Sequence, residues 1–174
     1  CEKALKDGKD VLCFTDDVDE FAVKMLGEYE GKQFKNVLSE EVSASKEDDE
    51  KTEQDKDMLG KIKDALGDKV SKVKVSSAIG DHAVCLSSEG EVSLEMEKVL
   101  NSMPGAEEKV KANKVLELNP AHPIYEKLKA VYGANPDDIA DYAEVLYQSA
   151  RLVSGLNVED PTAVTDKMIA LLAK

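Results

Sequence analysis

The C-terminal end of the chain constrains the fold most strongly, because its helices are marked at both ends. Asn135 and Asp160 are each followed by a proline, a combination that typically caps and begins a helix. Gly155 follows the first of these helices, and the link "LNVE" to the second is short. The sequence therefore predicts two antiparallel helices that form a hairpin.

Both helices of this hairpin carry apolar stripes that are too wide for two helices to enclose by themselves. One solution is packing against the body of the same domain. The other is pairing with the same hairpin of a second chain in a twofold four-helix bundle. The pattern alone leaves both solutions open. The residues predicted for a dimer interface are Ile139, Tyr142, Leu146, Ala150, Val153, Met168, Leu171 and Leu172.

The clearest change of composition lies at residues 40–57, which contain nine acidic residues and three lysines. A segment this polar cannot bury a core. It is predicted to be a solvated linker that becomes the exposed start of the next helix. We therefore divide the chain into residues 1–44, an acidic linker or helix start at 45–57, and a larger domain at 58–174.

The pattern on either side of this segment predicts an α+β fold. Before it, apolar runs at 11–14 and 33–38 flank a helical pattern, as in a βαβ unit. After it, a helix at 58–66 precedes strands at 69–79 and 82–88, which are expected to form a hairpin. A helix at 91–103 and a third strand at 114–119 follow. The expected architecture is a three-stranded sheet with helices, ending in the helical hairpin.

Four acidic residues near the N-terminus, Asp16, Asp17, Asp19 and Glu20, have two interpretations. Clustered carboxylates bind metal ions or act in acid–base catalysis, which gives a metal-binding or hydrolytic protein as an alternative function. Acids at the start of a helix also cap it and interact favourably with its dipole. Capping by Asp16 is the favoured interpretation, since Val18 and Phe21 interrupt the ligand positions of a calcium loop and no glycine falls within it.

The helix predicted at 91–103 carries an apolar stripe that includes Met96, Leu100 and Met103. Leu94 falls roughly opposite this stripe at 100° per residue. A single exposed leucine is ordinary on a protein surface. On a helix rich in methionine it also suits an adaptable binding face. The sequence alone favours a position in the core for the stripe and a position on the surface for Leu94.

Several functional classes have little support in the sequence. The net charge is −13, which argues against binding to nucleic acid or to an anionic membrane. No apolar stretch is long enough to span a membrane. Three scattered cysteines and two distant histidines form no metal site or nucleophile–base pair. We predict buried free thiols, a cytoplasmic location, and no catalytic, cofactor or metal residues.

Three stretches of the sequence resemble the heat-shock protein 90 chaperone family, most closely its bacterial branch. They are "VLCFTDDVDEFAVKMLGEYEGKQFKNV", "LELNPAHPI" and "SGLNVEDP". They occur in the family's order and are spread over essentially the whole chain. The resemblance implies a C-terminal fragment: residues 1 to about 40 would end the middle domain, and the remainder would be the dimerisation domain, whose last helices pair as a four-helix bundle.

The same resemblance implies the partners and cofactors. The family's ATP pocket and catalytic arginine lie in other domains, so ATP and magnesium are expected only in the parent protein. The helix at 91–103 corresponds to a family helix implicated in binding unfolded clients, which suggests Leu94, Met96, Leu100 and Met103 as client contacts. The end "ALLAK" lacks the acidic tail that recruits tetratricopeptide co-chaperones, as is typical of bacterial and organellar members.

Overall fold

A computed structural model describes residues 4–5, 8–16, 18–37, 39, 45–103 and 109–173. The strands are β1 (Glu28–Tyr29), β2 (Lys32–Gln33), β3 (Lys72–Val75), β4 (Val84–Glu89) and β5 (Asn113–Leu118). The helices are α1 (Asp19–Leu26), α2 (Lys46–Gln54), α3 (Lys56–Leu66), α4 (Leu94–Ser102), α5 (Pro123–Ala134), α6 (Ile139–Val153) and α7 (Pro161–Leu172). Two 3₁₀ turns lie at Gly67–Lys69 and Pro136–Asp138. The predicted α+β class is confirmed.

The three-stranded sheet has the order β3-β5-β4, with β5 in the centre. β5 runs parallel to β3 and antiparallel to β4, and Leu116 is paired with Val73 on one side and Leu86 on the other. The predicted hairpin between β3 and β4 is therefore wrong, because β5 lies between them. β5 is buried from Lys114 to Leu118, and burial on both faces favours the central position for such a strand.

The hydrophobic core lies between the sheet and the helices α3, α5 and α6. α6 packs on both β4 and α3. The largest apolar side chains in this core are almost fully buried, and they are Ile62, Leu86, Leu116, Leu118, Tyr125, Leu128, Ile139 and Tyr147. The sheet, α3 and α6 thus form one body, and the C-terminal hairpin belongs partly to it.

The N-terminal βαβ unit predicted from the sequence is wrong. Residues 11–14 form no strand, and Leu12, Cys13 and Phe14 are exposed. β1 and β2 instead form a short antiparallel hairpin. Glu30 and Gly31 at its turn have φ angles of 49° and 74°, the left-handed conformation that tight hairpin turns require. A two-residue turn can join antiparallel strands directly, whereas the parallel strands of a βαβ unit need a long crossover connection.

The acidic segment forms α2 and covers the outer edge of β3. The N–H of Val75 donates to Thr52 Oγ1 at 3.0 Å, and the N–H of Ser77 donates to Asp48 Oδ2 at 3.0 Å. Residues 46–54 are helical, and Asp48 within them is buried although the segment was expected to be solvated; residues 40–44 lie outside the described part. The division into domains stays a prediction.

The stretch "LELNPAHP" provides structural contacts. Asn119 is buried, and its amide donates to the carbonyls of Gly80 at 2.8 Å and His82 at 3.0 Å. His122 Nδ1 accepts from the N–H of Ile124 at 3.2 Å and caps α5. Asn119 therefore fixes the turn before β4 to the turn after β5.

Buried polar contacts also cross the sheet. The Glu117 carboxylate on β5 lies 3.5 Å from the ammonium of Lys74 and accepts from Ser87 Oγ at 2.6 Å. All three side chains are buried. The alternation of valine with lysine in β3 is typical of a half-buried strand with lysine on its solvent side. Lys74 is nevertheless buried, because this carboxylate partners it.

Candidate dimerisation surface

The predicted caps of the C-terminal hairpin are confirmed. Asn135 Oδ1 accepts from the N–H of Asp137 at 3.3 Å, and Asp160 Oδ1 accepts from the N–H of Ala163 at 3.0 Å. The residue after each cap is a proline at the start of a helical turn. Gly155 between the helices has a φ angle of 72°, which few residues with a side chain adopt.

The inner face of α6 belongs to the core of its own chain. Ile139 and Ala150 are 0% exposed, and Tyr142 and Leu146 are 9% exposed. The prediction that Ile139 and Ala150 lie in a dimer interface is wrong, because a fully buried side chain cannot contact a second chain. Tyr142 and Leu146 also lie mainly in the core. For this half of the stripe, packing against the body is the solution adopted.

α7 has no buried side chain, although it ends in the apolar stretch "MIALL". Its packing neighbour is α6, and Leu171 reaches the edge of the core. Large apolar side chains stay exposed along the hairpin, and we call this set the hairpin surface: Leu152, Val153, Met168, Ile169 and Leu172. Leu172 is 87% exposed.

The sequence-based interface list contains three of the five members of the hairpin surface. Leu152 and Ile169 were missed. Ile169 lies three residues before Leu172, and this helical spacing was the available signal. Leu152 precedes Val153 directly and lies beside the apolar stripe of α6.

A polar network fixes the link between α6 and α7. Arg151 Nε donates to the carbonyl of Asn157 at 2.8 Å, and Arg151 Nη1 donates to Glu159 Oε1 at 2.7 Å. Gln148 Oε1 accepts from the N–H of Glu159 at 3.3 Å. At the other end of the hairpin, Lys167 lies 3.4 Å from Asp141. The two helices are thus held in a defined relative position.

The same network anchors α6 to the turn after α3. Lys69 Nζ donates to both carboxylate oxygens of Glu144, at 2.8 and 2.7 Å. Burial alone would raise the pKa of Glu144, but hydrogen bonds from Lys69 and Gln148 outweigh it and lower the pKa. Burial raises the pKa of the neighbouring Tyr147 hydroxyl. Glu144 is therefore ionised at neutral pH and holds Lys69 in place.

Comparison with known proteins identifies the family. The family model described as "Hsp90 protein" matches residues 1–174. The chain belongs to the Hsp90 family. Among similar proteins are those named "Chaperone protein HtpG" from Clostridium perfringens (strain ATCC 13124), 44% identical over 98% of this chain, and from Bacillus velezensis, 43% identical over 95%. The protein of that name from Bacillus subtilis is 38% identical over 95% of the chain.

The chain spans only part of these Hsp90-family relatives. It covers 28% of the length of the Clostridium perfringens protein and 27% of each Bacillus protein. Within the described ranges, no helix is both long and apolar enough to cross a membrane.

Helix α4 occupies the position that the Hsp90 resemblance assigned to a client-binding helix. Ser93 caps it, because Ser93 Oγ accepts from the N–H of Met96 at 3.0 Å. Leu94 is only 5% exposed and belongs to the core, so its predicted surface position is wrong. The helix spans Leu94–Ser102 and is shorter than the predicted 91–103. Met96 and Leu100 are half-buried, and Met103 after the helix is 48% exposed.

The N-terminal acids make structural contacts in this Hsp90-family chain. Asp19 Oδ2 accepts from the N–H groups of Thr15 at 3.3 Å and Asp16 at 3.1 Å. Val18 precedes α1 without a side-chain cap, so the prediction that Asp16 caps the helix is wrong. Glu20 accepts from Asn36 and Ser93, and Asp17 lies outside the described residues. In the described part of the chain, no group of three or more His, Cys, Asp or Glu is arranged to hold a metal ion.

The cysteines with described positions are free thiols in different environments. Cys13 is exposed, contrary to the prediction of a buried thiol. Cys85 is half-buried, and burial raises its pKa to about 12. The Cys85 thiol therefore stays protonated at neutral pH and is a poor nucleophile.

Proposed function

We propose that this chain is the dimerisation and client-contact module of an ATP-dependent chaperone. The observation that carries the proposal is the hairpin surface, because α7 exposes Met168, Ile169 and Leu172 while it packs mainly on α6. Membership of the Hsp90 family and relatives named as chaperones support the same conclusion.

The energetics favour a second copy of the chain as the occupant of the hairpin surface. Complete burial of one large aliphatic side chain contributes about 1.5–3 kcal/mol. A twofold axis would present the five exposed side chains twice, and two hairpins would become a four-helix bundle. Because the polar network already fixes the link between the helices, little conformational entropy is lost on pairing.

The proposed mechanism is mechanical and needs no catalytic residue in this chain. A permanent joint at the C-terminal hairpins would keep two ATP-hydrolysing arms at high local concentration, so that their closure becomes effectively intramolecular. ATP and magnesium would bind to the arms of the parent protein. Unfolded or partly folded clients would contact α4 and its C-terminal end, where Met96, Leu100 and Met103 are at least partly accessible.

Analytical ultracentrifugation of the chain over a dilution series tests dimerisation. We expect the unmodified chain to form a dimer. Leu172→Glu or Ile169→Glu should strongly raise the dissociation constant of this dimer, because a buried unpaired carboxylate is costly. Met25→Glu is the matched control, since Met25 is 89% exposed and lies on α1, far along the chain from the hairpin.

Two outcomes of this experiment would contradict the proposal. One is a wild-type chain that stays monomeric at every concentration. The other is a dimer that tolerates both glutamates in the hairpin but dissociates with Met25→Glu. A stable dimer whose parent protein has no effect on client aggregation would instead support a plain oligomerisation scaffold.

A further inference from the structure

Helix α1 makes polar contacts with the start of α4, far away in the sequence. Glu20 Oε2 accepts from Ser93 Oγ at 2.7 Å, across 73 positions of the chain. The Lys24 ammonium donates to the carbonyl of Glu91 and lies 3.9 Å from Met96 Sδ. The same helix therefore touches the cap of α4, the residue two positions before that cap, and the first methionine of α4.

Ser93 is the common point of these contacts. Its hydroxyl donates to Glu20 on α1 and accepts from the N–H of Met96 in α4. The second carboxylate oxygen of Glu20 accepts from Asn36 Nδ2 at 3.1 Å, so Glu20 is held from both sides. Hydrogen bonds in such a chain polarise and strengthen one another. Loss of the Glu20 contact should therefore weaken the cap of α4.

The space around these contacts is not tightly packed. A cavity of about 250 Å³ lies between α1 and the end of β4, with Val23, Phe34 and Ser88 among its lining residues. No residue of α1 is buried. Since no residue of α1 joins the apolar core formed by the described residues, polar interactions contribute much of the stability of this contact. A contact of this kind opens more easily than the body of the domain.

We infer that α1 is a clasp on α4: it holds the first turn of α4 through Ser93 and partly covers Met96, and the two helices loosen together. Coupling of this kind is reciprocal, so a change in α1 must be felt in α4 and a change in α4 must be felt in α1. The clasp itself does not depend on client binding. Its consequence, that opening α1 uncovers part of the client-contact surface, rests on the proposed function.

Amide hydrogen exchange of the whole chain, followed by mass spectrometry, tests the clasp. We expect Glu20→Ala to speed exchange in α4 by about threefold to tenfold, the range expected for one net hydrogen bond. Glu20→Gln keeps an acceptor for Ser93 and should restore part of the protection. Ser93→Ala removes the cap of α4 directly, so its informative readout is faster exchange in α1.

Glu28→Ala is the matched control, because Glu28 is an exposed carboxylate on β1 just beyond α1. It should leave exchange in α4 unchanged. Exchange in α6 reports global unfolding and should stay constant in every variant. Unchanged exchange of α4 in Glu20→Ala, or of α1 in Ser93→Ala, overturns the clasp. Coupled exchange with unchanged client binding would leave the clasp standing and reject only its proposed consequence.

Discussion

At the residue scale, Asn119 and His122 of the motif "LELNPAHP" make structural hydrogen bonds. The side-chain amide of Asn119 donates one hydrogen bond to the carbonyl of Gly80 and one to that of His82. Its Oδ1 accepts from the N–H of Ala121 at 2.9 Å. The cap at His122 involves only neighbours in the chain, because its Nδ1 accepts from the N–H of Ile124. The role of Asn119 could not be predicted, because its partners lie 37 and 39 positions away.

We expect Asn119→Ala to lower the free energy of unfolding by about 2–3 kcal/mol, because it leaves buried carbonyls without donors. Urea titration followed by circular dichroism measures this change. Asn157→Ala is the control, since Asn157 is exposed and contributes its backbone carbonyl to the link. Asn157→Ala should cost less than about 0.5 kcal/mol. An equal loss in both variants would argue against the role assigned to Asn119.

At the scale of elements, local signals predicted helices well and strand pairing poorly. The Asn–Pro and Asp–Pro caps gave the start of both hairpin helices, since each cap acts within a few residues. The pairing of β3 with β5 joins segments that are far apart in the sequence. The turn-forming dipeptide "GD" at 80–81 is equally compatible with a hairpin between β3 and β4, so the sequence could not exclude that hairpin. The sequence showed the apolar stripe of α6. It could not show whether the stripe packs in the core or in an interface, because both kinds of burial require the same apolar side chains.

The placement of α4 can be tested by comparing its buried residue Leu94 with the exposed Met103 just after the helix. Leu94→Ser should destabilise the domain by about 2–4 kcal/mol, because it removes a buried side chain from the core. Met103→Ser should leave the stability nearly unchanged, because Met103 is exposed, and should weaken the suppression of client aggregation by the full-length protein. Urea titration and light scattering of a model client measure the two effects.

The reverse pattern for these two variants would contradict the placement of α4. A stable Leu94→Ser variant would mean that Leu94 is not part of the core. Unchanged suppression of aggregation by Met103→Ser would remove Met103 from the client surface.

At the scale of the whole molecule, the proposed dimerisation through the hairpin surface would link folding to association. If two chains unfold together, the midpoint of thermal unfolding depends on protein concentration. For a dimer of this size, we expect the midpoint to rise by about 2 °C for each tenfold increase in concentration. Differential scanning calorimetry over a concentration series measures it.

Leu172→Glu should abolish this concentration dependence, while Met25→Glu should retain it. A midpoint that is independent of concentration in the unmodified chain would show that the chain unfolds as a monomer. The position of Leu172 near the end of α7 makes it suitable for this test, because its substitution leaves the core untouched.

The cover that α2 places over β3 has a consequence for how the sheet meets other polypeptide chains. An uncovered edge strand is a template on which another polypeptide can add a strand, and such growth leads towards amyloid. Here the N–H groups of Val75 and Ser77 are already bound by Thr52 and Asp48. A polypeptide strand that meets this edge finds those donors occupied, so this edge of the sheet is a poor template for strand addition.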